Sequence, residues 1–546
     1  MKRYIAILSL ILIAFTGYSQ LAGKIASNYI DDLSYGITWD QSQSAVAKPA
    51  MLKSGNPNLW VSLPVQNKLK RCVLRDDGTV AYYLSSTNSW NKDGISPYVT
   101  AKNPSSISVL PNKILSTGNF GDTSLHVGMA VHNTTDNTYA MIVTIHSGDS
   151  VTVGMPLPMT VRKWRTATGT TTGHLIDAGI NYSSLGVVTG DLVWNRTDNT
   201  YALVTNVATG DLTISADIMA SAELYTVQKP FIKIGDAFEI CTANLSGSDG
   251  QVMVECPLFY ERYSFSGTTH DFRISEFPLP GFEPHPWFVS GTVVKPFRYF
   301  SAYEGNIVST KLQSVAGVLP TTSQTRATFR TNAANRGSGW SQQSYFALSA
   351  IQLLYVTEYA NWNSQSTIGA GATDWSGAVW NNYNAYNPVN RSGLSNFNGN
   401  VTANLNNGDG IVGSFMSYRG IEHFFGDIYK FTDGINIFNH VPYICGNEAS
   451  FADDKKFAGY FQVGVTLPST DGYQTTLTAT KYGFLPSAVG GNATTYICDQ
   501  YYQSTGWRVV LSGGSLSDGA VAGVACFDAN YASSNVDAGV GSRLCK

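Results

Sequence analysis

The residues best suited to contacting a ligand lie close together near the end of the chain, between positions 513 and 535. They offer a hydroxyl, two carboxylates, an amide and an aromatic ring, and they are Ser517, Asp518, Asp528, Asn530 and Tyr531. Protein-binding sites use these residue types, because short polar side chains adapt their hydrogen bonds and tyrosine gives contact area at little entropic cost. Sugar-binding sites use the same types. The alternative is that Ser, Asp and Asn only satisfy the backbone of turns. Residue types alone leave both interpretations open.

Catalytic and metal-binding patterns are missing from the sequence. The eight histidines form no HxxxH or HExxH pair, the seven cysteines form no CxxC pair, and no GxSxG segment occurs. Asp453 and Asp454 precede two lysines and are typical of a solvated turn. We therefore expect no enzyme activity, no metal and no cofactor.

The composition predicts a globular, β-rich protein of several domains. Charged residues make up 13% and aromatic residues 12% of the 546 residues. A disordered chain would carry more charge and fewer aromatics, and a helical one more Glu, Lys and Ala. The net charge is −3, without a basic stripe, so nucleic acid is not an expected partner.

The N-terminal residues resemble an export signal. Lys2 and Arg3 precede an apolar run over residues 4–15, and the small residues Gly17 and Ser19 lie before Gln20. The run is too short to span a membrane. We expect residues 1–19 to direct export; the alternative is that the segment stays attached as an anchor.

A tandem repeat occupies the middle of the N-terminal half. VHNTTDNTYA at residues 131–140 recurs as VWNRTDNTYA at residues 193–202. The copies cover about residues 115–153 and 177–215 and predict two similar β-units, each with strands around a Thr-Asp-Asn-Thr turn. Asp136 and Asp198 are explained by Asx turns rather than by calcium.

The pattern of apolar runs and turn residues divides the rest of the chain into regions. Residues 20–100 predict a β region, residues 101–244 the repeat module, and residues 245–286 a β connector. Helices are expected over residues 325–336 and from a cap at Ser341 to about residue 362. Gly- and Asn-rich loops with short strands then fill the chain to its end.

Four segments of residues 287–546 resemble the C-type-lectin-like fold in its formylglycine-generating-enzyme-like form. They are FRYFSAYE (297–304), RGIEHFFGDIYKF (419–431), GGS (513–515) and VGSRL (540–544). The region after position 506 is also similar to the ligand-binding tips of phage receptor-binding proteins and of proteins diversified by diversity-generating retroelements. The segments 59–85 and 245–257 also resemble phage tail proteins, in which the two segments lie close together. Here the repeat module separates them, so we interpret that module as an insertion.

The resemblance implies an α+β C-type-lectin-like C-terminal domain, with a mainly β N-terminal region and an inserted all-β tandem-repeat module. In such proteins the side chains between the GGS turn and the last strand contact the target. Asp427 and Asp433 are candidates for calcium, but the segment that carries Asp427 is usually buried and structural in this fold. The close cysteine pair that oxidases of the superfamily use for copper is not found, because Cys526 and Cys545 are far apart.

The function implied is non-enzymatic receptor binding by a virion spike or tail protein. Its partner would be a glycan or protein on a host cell surface, its N-terminal region would contact other virion proteins, and a homotrimer is compatible with this role. The alternatives are an exported bacterial adhesin with the same binding domain, a structural virion component and, last, a formylglycine-generating-type oxidase. The location implied is the virion surface or the bacterial cell surface.

Overall fold

The computed structural model describes most of the chain after the signal-like segment. The described residues are 30–41, 51–97, 99–102, 106–107, 113–116, 120, 124–153, 165–198, 200–229, 231–232, 236–374, 390–405, 415–454 and 459–546. The predicted export signal at residues 1–19 lies outside them.

The chain folds mostly as β-structure, so the α+β lectin-like class expected from the resemblance is wrong. Strands account for 42% and helices for 13% of the structure, and antiparallel pairing prevails in its sheets. The two predicted helices do form, as Arg326–Ala334 and Tyr345–Tyr359. The Gly-, Thr- and Asn-rich chain that follows them pairs into sheets rather than remaining as loops, because its strands gain hydrogen-bond partners from distant segments.

Two sheets pack around the centre of the molecule. The five-stranded sheet has the order Met51–Gly55, Tyr35–Asp40, Thr269–Ser275, Tyr260–Ser266 and Glu283–Pro284. The six-stranded sheet has the order Ser341–Gln342, Leu544–Cys545, Phe297–Ser301, Gln251–Pro257, Lys70–Leu74 and Val80–Tyr83. The second sheet joins the N-terminal region to the last strand of the chain, since Lys70–Leu74 and Leu544–Cys545 both belong to it.

The repeat copies lie in separate sheets, each with its own apolar core. The seven-stranded sheet has the order Val99–Lys102, Phe238–Asn244, Met129–Asn133, Thr138–Ser147, Ser150–Val153, Lys113–Leu115 and Ser106–Ile107. The six-stranded sheet of the second copy has the order Arg165–Thr166, Leu224–Gln228, Leu192–Asn195, Thr200–Ile214, His174–Asn181 and Gly169–Thr171.

The two repeat turns have the same geometry. The side-chain oxygens of Asn133 and Asn195 accept hydrogen bonds from the backbone amides two and three residues further on, at 2.9–3.3 Å. These are Asx turns, as the sequence predicts, but the asparagine before each turn makes them. Asp136 and Asp198 contribute backbone amides.

The largest sheet lies in the C-terminal third. Its order is Phe461–Gln462, Val441–Ile444, Tyr429–Phe438, Trp507–Ser512, Phe527–Ala529, Gln500–Gln503, Gly472–Thr480 and Gly483–Val489, and Val540–Gly541 pairs with Tyr429–Phe438. Smaller sheets are formed by Val289–Ser290 with Val293–Val294, by Asn306–Val308 with Lys311–Gln313, and by Ala403–Leu405, Phe415–Tyr418 and Ile421–Glu422.

Four α-helices have both ends within the described part of the chain. They are α1 (Pro57–Ser62), α2 (Arg326–Ala334), α3 (Tyr345–Tyr359) and α4 (Ser364–Ile368). Thr325 caps α2 through a hydrogen bond from the amide of Thr328. The predicted cap of α3 is wrong: Ser341 lies in a strand, and Ser344 caps the helix instead. Helix α3 is buried on nearly all sides and forms the centre of the main apolar core.

Candidate ligand-binding surface

The strand Trp507–Ser512 supports the region in which ligand contacts are predicted. It pairs with Tyr429–Phe438 on one side and with Phe527–Ala529 on the other, and its residues from Val509 to Ser512 are buried. Residues 513–526 leave the end of this strand and return as Phe527–Ala529. The loops that carry the predicted site residues therefore start and end on a packed sheet.

Two glycines turn the chain directly after the strand. Gly513 and Gly514 have φ angles of 89° and 73°, the left-handed backbone that glycine adopts without steric cost. A Cβ atom on Gly514 would lie 2.6 Å from Cβ of Ala522, closer than packed carbon atoms come. This turn therefore requires glycine for both its conformation and its packing.

Asp518 is bound internally. Its Oδ2 accepts hydrogen bonds from the amide and the hydroxyl of Ser515, each at 2.6 Å, and its Oδ1 accepts one from the hydroxyl of Tyr429 at 3.1 Å. Burial raises the pKa of this carboxyl, although the Ser515 and Tyr429 bonds oppose the shift. Asp518 thus fixes the loop to the sheet, while its neighbour Ser517 is exposed.

Helix α4 supports the same loop from behind. The side-chain amide of Gln365 donates to the carbonyls of Gly519 and Ala522, at 2.8 and 2.7 Å. The amide of Gly519 donates to the carbonyl of Thr373 at 2.6 Å. The loop backbone is held on two sides, so the position of Ser517 is well defined.

Asp528 is buried as well, with 5% of its surface exposed. Its Oδ1 accepts a hydrogen bond from the amide of Asn530 at 2.7 Å. Burial raises the pKa of this carboxyl to about 7, and the charges of Asp518 and Asp471 add to the shift. Asp528 therefore shapes the turn that presents the exposed side chain of Asn530.

The segment that follows is the most exposed part of the region. Tyr531 is half-buried; its hydroxyl donates to Asp537 at 3.2 Å, and its carbonyl accepts from the amide of Val509 at 2.9 Å. Asn535 is exposed, and Val536 exposes 56% of its surface. Asn535 and Val536 are thus exposed side by side, while the ring of Tyr531 packs partly against the core.

The structure brings the five predicted residues into one region with two roles. Burial raises the pKa of Tyr531, and the charges of Asp528 and Asp518 add to the shift, which indicates that the two loops lie near each other. Ser517 and Asn530 face solvent, whereas the two aspartates bind their own loops. Whether any of the five contacts a ligand stays a prediction.

Sequence reasoning missed the residues that hold these loops. Tyr429 binds Asp518 from the neighbouring strand, and Asp537 binds Tyr531 and the amide of Gly539. Local sequence carries no signal for Tyr429, which is far from the loop in the chain. The turn at Asp537 could have been found from the glycine two positions later.

The two calcium candidates are placed among protein partners. Asp433 accepts hydrogen bonds from Arg330 at 2.6 and 2.9 Å and from Gln342 at 2.7 Å. Asp427 is buried beside Glu304. Within the described ranges, no group of three or more His, Cys, Asp or Glu side chains has the geometry to hold a metal ion.

The chain matches no protein-family model and no curated protein. Among solved structures it is similar to a chain named Major Tropism Determinant P3c Variant, at 9% identity and a TM-score of 0.19, over 79% of this chain and 97% of that chain. A TM-score this low does not establish a shared fold or function. In the described part of the chain, none of the helices combines the length and apolarity needed to cross a membrane.

Proposed function

We propose that this chain is a non-enzymatic receptor-binding protein whose surface at residues 515–536 recognises a molecule on a host cell. The proposal rests on one observation: in each of the two loops, one side chain binds the loop backbone and a neighbouring side chain is exposed to solvent. The carboxylates of half-buried Asp518 and buried Asp528 fix the backbone, and the side chains beside them, Ser517 and Asn530, face solvent.

This arrangement suits recognition because binding is strengthened when the contacting groups are ordered beforehand. The glycine turn, helix α4 and Asp518 hold the first loop, and Asp528 and Asp537 hold the second. Such loops lose little conformational entropy when a ligand binds. Their exposed side chains can differ without disturbing the sheet beneath them.

The roles of the predicted residues differ within this proposal. Ser517, Asn530 and Tyr531 contact the ligand, the first two through hydrogen bonds and the third through its ring. Asp518 and Asp528 are positioning residues. The partner is a glycan or a protein on the host cell surface, because hydroxyl, amide and tyrosine groups serve both. The site of action is the surface of a virion or of a bacterial cell.

The test is binding of the labelled full-length protein to intact cells from a panel of bacterial strains. Replacing Ser517, Asn530 and Tyr531 together with alanine should weaken binding by about 100-fold, since central contacts of an interface carry about 2 kcal/mol or more. A matched control replaces Ser221 and Asn58, which are exposed elsewhere, with alanine. Unchanged binding by the triple variant, with its thermal unfolding intact, would refute the proposal.

A further inference from the structure

A buried group of three ionisable side chains lies directly beneath the first loop. Glu304, Asp427 and Lys430 are 4%, 0% and 0% exposed. The Nζ atom of Lys430 lies 2.8 Å from Oε1 of Glu304 and donates a hydrogen bond to the carbonyl of Gly426 at 2.6 Å. An amine and a carboxyl are therefore in contact in a site that water does not reach.

The third member of the group is a second carboxyl next to the first. Asp427 lies beside Glu304, and its Oδ1 accepts a hydrogen bond from the amide of Asn390 at 3.0 Å. Burial and the charge of Glu304 raise the pKa of Asp427 well above its usual range, so Asp427 holds a proton. Burial also lowers the pKa of Lys430, which favours loss of its proton.

Some polar atoms of this group and of its neighbour His423 lack hydrogen-bond partners among the residues that the structure describes, which is unusual for a buried ion pair with a purely structural role. Asp427 Oδ2 and both ring nitrogens of the buried His423 make no hydrogen bond to a described residue. Burial lowers the pKa of His423 to about 3, so its ring is neutral. Buried structural networks normally satisfy all their polar atoms, since each unpaired one costs stability.

We propose that Lys430 and Glu304 become joined by an intramolecular amide bond, with Asp427 as the proton donor for its formation. The geometry supports this through contact between the nitrogen and the carboxyl, closure of the site to bulk solvent, and the position of a second carboxyl, Asp427, beside the one that reacts. Groups held in contact react as if highly concentrated, and a dry site opposes the reverse hydrolysis.

The reaction needs no further reactant. The Lys430 ammonium passes a proton to the Glu304 carboxylate, which leaves a neutral amine beside a neutral acid. The nitrogen bonds to Cδ of Glu304 while the Cδ–OH bond breaks. Asp427 gives its proton to the departing hydroxyl and receives one from the nitrogen. The products are one amide and one water, and Asp427 ends as it began.

The bond would strengthen the support of the candidate binding surface. The amide of Gly426 donates to the carbonyl of Gly513 at 3.0 Å, and the amide of Leu516 donates to the carbonyl of Asp427 at 3.0 Å. The link would tie the end of the strand Phe297–Ser301 to the strand Tyr429–Phe438. All seven cysteines are buried free thiols, so no disulfide supplies such a link in the part of the chain that the structure describes.

The test is peptide mass spectrometry of the full-length protein after denaturation and trypsin digestion. Trypsin cuts after Arg298, Lys311 and Arg419 but not at a Lys430 that carries an amide. The expected product is a branched peptide that joins residues 299–311 to the peptide beginning at position 420, lighter than their sum by one water. Separate peptides 299–311 and 420–430 in full yield would overturn the proposal.

Three variants test the assignment of the groups. Lys430→Arg keeps a buried cation but lacks the primary amine, so it should give only separate peptides. Glu304→Gln should give the same branched peptide, through loss of ammonia instead of water. Asp427→Asn should slow formation by about 100-fold, the usual effect of removing a proton donor. A branched peptide in the arginine variant, or formation at the original rate in the asparagine variant, would contradict the step.

Discussion

Asp518 accepts two hydrogen bonds from Ser515, one from its amide and one from its hydroxyl, both at 2.6 Å. A carboxylate that looks like a ligand contact in the sequence is therefore occupied by its own loop. The same holds for Asp528, which binds the amide of Asn530. We therefore propose that Ser517, Asn530 and Tyr531 contact the ligand, and that Asp518 and Asp528 hold the loops in place.

Replacing Asp518 with alanine should loosen the first loop. The loss of two hydrogen bonds from Ser515 and one from Tyr429 is expected to cost about 1–3 kcal/mol, because their donors are left without a partner. Hydrogen–deuterium exchange should become faster over residues 515–521. Ser517→Ala is the adjacent control: it removes only the 3.2 Å contact between the hydroxyls of Ser517 and Ser515, so it should change exchange much less. Equal effects of the two substitutions would contradict the positioning role of Asp518.

The stability of the second loop should fall as the pH rises. The pKa of Asp528 is raised from 3.8 to about 7 in the folded chain. Between these values the unfolded chain releases the proton and the folded chain keeps it, so the folded state loses stability as pH increases from about 4 to about 7. The thermal midpoint of the wild type minus that of Asp528→Asn should decrease over this interval. A difference that stays constant with pH would show that the carboxyl is not protonated in the fold.

Gly514→Ala should disturb the turn more than the same change at a glycine with free space. Both Gly514 and Gly506 have left-handed backbone, with φ of 73° and 78°, which costs alanine about 1–2 kcal/mol. Only at Gly514 does the added Cβ collide, at 2.6 Å from Ala522. Thermal unfolding and cell binding should therefore suffer more in Gly514→Ala than in Gly506→Ala. Equal unfolding of the two variants would mean that the turn tolerates a side chain.

Asp433→Asn should destabilise the chain strongly. Asp433 is fully buried and is bound by Arg330 and Gln342, with Arg326 at 3.9 Å. Removing its charge leaves the guanidinium groups of Arg326 and Arg330 with only the half-buried Asp453 as an anionic partner, and breaking a buried ion pair typically costs about 3–5 kcal/mol. Chemical unfolding measures the loss, with the more exposed Asp453→Asn as the milder control. Because arginine occupies its carboxylate, calcium should not raise the unfolding temperature; a calcium-dependent rise lost in Asp433→Asn would contradict this placement.

Local features of the fold could be predicted from the sequence, because short-range geometry fixes them. The glycine turn at Gly513 and Gly514, the cap at Thr325 and the Asx turns of the repeats are set by residues two or three positions apart. The cap of α3 was misplaced by three residues, since Ser341 and Ser344 fit the same pattern and strand pairing decides between them.

The fold class and the inner side of the candidate site could not be predicted in this way. The sheet that carries the site pairs the strand Trp507–Ser512 with Tyr429–Phe438, which is distant in the chain. The hydrogen bond from Tyr429 to Asp518 follows from that pairing and from nothing in the local sequence. Residue type identified Asp518 as polar and available, whereas its own loop and the neighbouring strand occupy its carboxylate oxygens.

The central claim, recognition through residues 515–536, is tested most directly by covalent footprinting of the full-length protein, free and bound to a bacterial strain that it attaches to. Side-chain labelling is measured by peptide mass spectrometry. The account predicts that binding protects Tyr531 and the residues of the two loops, while the repeat sheets are labelled as before. Protection confined to the repeat sheets, with the two loops labelled equally in both states, would contradict it.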